Sequence, residues 1–131
     1  MQQILIVDDS PTIRRMVKAS LTGLPDGCEL VEAASGLEAI ERLSLGAVGL
    51  MVLDLNMPDM HGLEVLGFIR GHSKYRHVPI IVLTTRGDDA SRTAAMQAGA
   101  TAFLTKPFTP DALAAQARQL LAAGAAGPGT K

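Results

Sequence analysis

The chain has 131 residues, 47% of them hydrophobic and 19% charged, with a formal net charge of −1 and a single cysteine. That length suits one domain with a proper core and is too short for two ordinary ones; the composition argues against a disordered tail, and without a basic block nucleic-acid binding has no electrostatic support. Cys28 alone cannot build a disulfide framework, the N-terminus MQQILIVDD reaches acidic residues too early for a signal peptide, and no stretch approaches the ~20 apolar residues that cross a bilayer, so a soluble cytoplasmic domain is expected.

Ile4-Leu5-Ile6-Val7 is a continuous β-favouring run, as in a strand covered on both faces, and it ends in Asp8-Asp9-Ser10-Pro11. Ser10 followed by Pro11 marks a helix start, with a hydroxyl to cap and a backbone angle already set. Ile13, Met16, Val17 and Leu21 recur at helical spacing, and Gly23 is the expected stop. A shorter strand follows around Leu30-Val31, within Glu29 to Ala33. Ser35-Gly36-Leu37-Glu38 then matches a capping box, with Ala39, Ile40 and Leu43 as the apolar face behind it.

Leu50 to Leu53 reads as a third strand that delivers Asp54 to its carboxyl end, before a turn through Met57-Pro58-Asp59. Val65, Leu66 and Ile69 mark a third helix ending near Gly71. Ile80-Ile81-Val82-Leu83 is a fourth strand ending at Thr84. Asp88-Asp89 caps a helix over roughly Ala90 to Ala98, whose apolar positions are taken as Ala90, Ala94 and Ala98, so its hold on the sheet should be weak. Gly99 stops it. Ala102-Phe103-Leu104 is the fifth strand, running into Thr105-Lys106-Pro107. Thr109-Pro110-Asp111 opens the last helix, with Leu113, Ala117, Leu120 and Leu121 on its buried face. Residues 1–121 form the expected domain, and Ala122 to Lys131 reads as a flexible, Ala/Gly-rich tail.

Alternating apolar strands and helical patterns imply a doubly wound α/β fold with a parallel sheet and helices on both faces. Ligands in such folds sit beyond the carboxyl ends of the strands. Asp8, Asp9, Asp54, Thr84 and Lys106 all stand at those ends, on one edge of the sheet. Clustered carboxylates repel each other, and a hard divalent cation such as Mg²⁺ removes the problem. Asp9 and Asp54 are the first choices as ligands, with Asp8 close enough to act through water. Lys106 is expected at a distance from the metal, leaving between them a berth for a tetrahedral anion to which Thr84 could donate a hydrogen bond. An aspartate beside a metal ion and a lysine can attack phosphorus and become an aspartyl phosphate. Taken singly, Asp8 and Asp9 are as well read as helix caps, Asp54 as a turn former and Lys106 as a solvated charge; the joint placement is what carries the chemistry.

The segments VDDSPTIRRM, VLDLNMPDMHG, IVLTT and TKPF, in this order and spacing, resemble the receiver domain of bacterial two-component response regulators, and most of all its single-domain chemotaxis members. The resemblance runs from Ile4 to about Leu121. It implies a flavodoxin-like five-stranded sheet in the order 2-1-3-4-5, with Asp54 as phosphoacceptor and Asp8 and Asp9 as the acidic pair holding Mg²⁺. It further implies that the backbone carbonyl of Asn56 completes the metal shell, that Thr84 is the switch hydroxyl, and that Lys106, joined to Pro107 by a cis bond, pairs with the phosphoryl group. The expected donor is a histidine kinase or phosphotransfer domain. The expected output is a state-dependent protein target on the face formed by the fourth helix, fifth strand and fifth helix, as in chemotaxis or motility signalling. Such a domain catalyses only its own phosphorylation and dephosphorylation.

The chain departs from the family pattern in places. Phe103 stands where a swinging aromatic sits, without a tyrosine hydroxyl; Thr85 is larger than the usual residue after the switch threonine; His61 replaces a frequent aspartate. Asn56 and Arg86 occupy positions that tune dephosphorylation. Other classes fit less well. An aspartate-nucleophile phosphatase places its two acids two residues apart on the first strand, whereas Asp8 and Asp9 are adjacent, and a dinucleotide or flavin binder lacks its Gly-x-Gly-x-x-Gly after that strand. A receiver cut from a longer regulator with a DNA-binding or enzymatic output is the remaining alternative.

Overall fold

A computed structural model describes residues 2–22, 24, 28–55, 57, 61–85 and 87–126. Gly23, Asn56, the Pro58-Asp59 turn and Arg86 lie outside the described residues. The element order is β1 (Gln2–Val7), α1 (Pro11–Leu21), β2 (Cys28–Ala33), α2 (Gly36–Leu45), β3 (Val48–Asp54), α3 (Gly62–Gly71), β4 (Ile80–Thr84), α4 (Asp89–Ala98), β5 (Ala102–Thr105) and α5 (Pro110–Ala126). The strands pair in parallel as β2-β1-β3-β4-β5, the order expected. Among the described residues no helix is long and apolar enough to cross a membrane.

The unbroken apolar strands make sense once their two faces are separated. Leu5, Val7, Met51, Leu53, Ile80, Val82 and Phe103 pack with Ala39 and Leu43 of α2, Val65, Leu66 and Ile69 of α3, and Ala95 of α4. Ile4, Ile6, Leu50, Val52, Ile81 and Leu83 pack with Val17 and Leu21 of α1 and Leu113 and Ala117 of α5. Successive strand residues alternate between these cores because side chains alternate across a sheet, and a strand buried on both sides has no polar face to show.

The helix caps follow local chemistry. Ser10 Oγ accepts from Ile13 N–H at 3.2 Å, with Pro11 in the first helical turn. Asp88 accepts from Ser91 N–H, and Thr109 from Ala112 N–H. Ser35 accepts from Glu38 N–H as expected, but the Glu38 carboxylate takes the Ala34 N–H, so that box is displaced by one residue. The reciprocal box is at α3: His61 Nδ1 accepts from Leu63 N–H and Glu64 accepts from His61 N–H.

The structure corrects three expectations. Met16 is 45% exposed, because the buried line of α1 runs through Val17 and Leu21. On α4, Ala90 is exposed, and Ala95 is the buried residue, flanked by half-buried Ala94 and Ala98. The last helix does not stop at 121 but continues through Ala126, as alanine has the highest helix propensity.

Arg70, near the end of α3, joins several of these pieces. Its Nε donates to the Gly99 carbonyl at 2.8 Å, and Nη1 donates to the carbonyls of Val78 at 2.7 Å and Arg76 at 3.1 Å. Its side chain lies so close over Gly99 that a Cβ there would stand 2.5 Å from Arg70 Cγ, and Gly99 has φ +114°, a backbone conformation that glycine adopts freely.

Candidate functional site

The site forms where β1, β3, β4 and β5 end. Asp8 follows β1 and is 2% exposed; Asp54 closes β3 and is also 2% exposed; Thr84 closes β4 at 1%. Lys106 follows β5, and its backbone N–H donates to the Thr84 carbonyl at 2.8 Å, which ties the last two strand ends together. Burial of two carboxylates at a sheet edge is costly unless charge of the other sign meets them.

Lys106 meets both. Its Nζ lies 2.9 Å from Asp8 Oδ2 and 3.3 Å from Asp54 Oδ1. The lysine thus touches both acids directly: mutual repulsion of the carboxylates makes the space between them the most favourable place for an ammonium group. Burial works against the charge on Lys106. The Asp8 hydrogen bond and the fields of Asp54 and Asp8 outweigh it, so the lysine pKa ends above its ordinary value.

Asp9 is exposed, yet Asp8, Asp9 and Asp54 can place one carboxylate oxygen each within 4.8 Å of one another. That is a set of hard oxygen donors at the spacing a small divalent cation needs. The structure thus brings together Asp8, Asp9, Asp54 and Lys106, with Thr84 at the adjoining strand end, while Asn56 lies outside the described residues. Lys106-Pro107 is cis.

Support for Asp8 comes from residues that sequence reasoning missed. Asp8 Oδ1 accepts from Ser10 N–H at 2.9 Å, and the Arg14 guanidinium donates to the Asp8 carbonyl. Arg14 in turn reaches Glu32 of β2 at 2.8 Å, with Lys18 at 3.3 Å from the same carboxylate. The Arg14 hydrogen bond holds the Glu32 pKa below the ordinary carboxylate value; burial opposes it and Lys18 adds to it. No sequence pattern flags Arg14, since its partners depend on β2 lying beside β1.

Just beyond Asp54, the Gly62 N–H donates to the Leu55 carbonyl at 2.9 Å. A Cβ on Gly62 would stand 2.6 Å from Leu55 Cα, so only glycine permits this approach. Phe103 is 8% exposed and turned toward α4, on the same sheet face as Val82, its register partner.

The chain matches the family model described as the response regulator receiver domain over residues 4–118. It is 39% identical over 123 residues to a chemotaxis protein CheY homolog of Campylobacter jejuni, covering 93% of this chain and 94% of that protein. It is 41% identical over 113 residues to the chemotaxis protein CheY1 of Helicobacter pylori, covering 85% and 90%. The structure of the chemotaxis response regulator CheY4 of Vibrio cholerae superimposes with a TM-score of 0.82 at 35% identity, over 92% of this chain and 98% of that one.

Proposed function

Because the chain belongs to the response regulator receiver family, we propose that it is a phosphorylation-driven signalling switch of the chemotaxis type, with Asp54 as its phosphoacceptor. The observation that carries this reading is the convergence of Asp8 and Asp54 on Lys106, with Asp9 in the same carboxylate cluster. A buried Asp54 carboxylate oxygen attacks the phosphorus of a phosphohistidine on a histidine kinase or phosphotransfer domain. The P–N bond breaks, and the imidazole leaves and takes up a proton. A small acyl phosphate serves as a slower donor.

Asp8, Asp9 and Asp54 are the residues that would hold Mg²⁺, whose charge would balance that of the transferring group. Lys106 follows the phosphoryl oxygens as negative charge accumulates on Asp54, trading an Asp54 contact for a phosphoryl one. Thr84, buried beside it, donates its hydroxyl to the same group. The added charge, about −1.5 to −2, is the signal. It is read on the face of α4, β5 and α5, where a protein target binds according to state, and the domain works in the cytoplasm.

Incubation with Mg²⁺ and acetyl phosphate, followed by intact-protein mass spectrometry, tests this. One phosphoryl group should appear on the wild type and none on Asp54→Asn. Equal labelling of the two, or labelling of neither, would sink the assignment.

A further inference from the structure

Phe103 belongs to β5, where its partner across the ladder is Val82; Thr84 pairs with the next residue but one, Thr105, on the same face. The ring therefore lies one diagonal step from the proposed switch hydroxyl, within reach for an aromatic side chain. It is already buried, packed in the core cluster that also contains Ala95 of α4. A phenyl ring has no hydroxyl to meet water, so turning it outward would expose apolar surface with nothing to offset the loss.

Over this ring lies Arg92 of α4. Its guanidinium carbon is 5.6 Å from the ring centroid, inside the range in which a cation is attracted to the face of an aromatic system. Arg92 is itself exposed, so the guanidinium spans the boundary between the Phe103 ring and solvent. Ala95 is the α4 residue buried in the core, and alanine offers little area, so the Arg92 contact adds to a small buried face.

We propose that Arg92 is a positioning residue for the switch: it holds the Phe103 ring in its buried position before any phosphoryl group arrives. This rests on the phosphoacceptor reading above. In the switch that the resemblance implies, Thr84 is drawn to the phosphoryl group and the aromatic at 103 moves into the vacated space, so a ring already held inward starts the chain part-way toward its partner-binding arrangement. What remains for the phosphoryl group is to draw in Thr84 and fix α4. A ligand shifts a two-state equilibrium only by its preference between the states, so a pre-set ring lowers the demand on that preference.

The test combines a ring readout with an activation readout. The chain has three phenylalanines, so fluorophenylalanine labelling gives three fluorine signals, and Phe103→Leu identifies the one at 103. In wild type without beryllofluoride that signal should be shielded from solvent; in Arg92→Ala it should shift part-way toward the solvent-exposed value. The beryllofluoride midpoint, measured with Mg²⁺, should rise about two- to fivefold in Arg92→Ala, the size of a surface cation–π contact. Arg92→Lys should restore part of it. In the Phe103→Leu background, Arg92→Ala should leave the midpoint where it is.

Identical fluorine signals in wild type and Arg92→Ala overturn the inference alone. So does a midpoint that stays or falls, or an equal shift in the Phe103→Leu background. A wild type blind to beryllofluoride overturns the phosphoacceptor reading and this inference with it.

Discussion

Lys106 carries more of the site than its place after a short strand suggests. Removing it leaves Asp8 and Asp54 buried beside each other with no ammonium between them. Lys106→Met should cost roughly 3–5 kcal/mol in urea unfolding, the penalty of stranding buried charge, and Mg²⁺ should return part of it. The folded-state pKa of Lys106 is raised above the ordinary 10.5. Its stabilisation is therefore complete below about that pH and is lost as pH climbs through the raised value, a decline that alkaline unfolding curves should show in wild type and not in Lys106→Met. Gly62→Ala forces a Cβ against the Leu55 backbone and should cost about 1–3 kcal/mol by the same assay. The identity of the acids was readable at the strand ends. Their contact with Lys106 was not, because periodicity places residues at an edge without fixing how far a long side chain reaches across it. The supports of Asp8, from Ser10 and Arg14, are equally silent in the sequence.

At the scale of elements, α4 stands apart. Helix α3 buries Val65, Leu66 and Ile69, whereas α4 buries Ala95. Amide exchange should therefore be faster across α4 than across α3 in the unphosphorylated chain, and beryllofluoride should slow it in α4; equal rates in the two helices would contradict the weak attachment. Asp88→Ala removes the cap of α4 and should lower stability by about 1 kcal/mol or speed that exchange further. The small apolar area of α4 was legible from its alanines, but its orientation was not: with alanine at most of its apolar positions, no stripe distinguishes the face through Ala95 from the one through Ala90. Met16 misled for the opposite reason. It extends an apolar stripe whose inner line, Val17 and Leu21, fills the available contact with the sheet. The helix beyond residue 121 was hidden by Gly124, which the alanines on either side outweigh.

For the whole molecule, the parallel sheet and the edge that carries the site followed from alternating elements, the strand order came from the family resemblance, and the separation of the two cores explains why the strands show no polar face. Mg²⁺ binds the folded chain alone in the reading proposed here, so melting temperature should rise with Mg²⁺, fall back with a chelator, and respond much less in Asp54→Asn. Coupling between site and surface depends on where the movable parts are fastened. The end of α4 at Gly99 is riveted to the body of the protein by the Arg70 guanidinium, which also grips the carbonyls of Val78 and Arg76. The opposite end, at Asp88, follows the strand that ends in Thr84. The helix thus resembles a door hung at Gly99: a push beside Thr84 would swing the Asp88 end widest and the Gly99 end least.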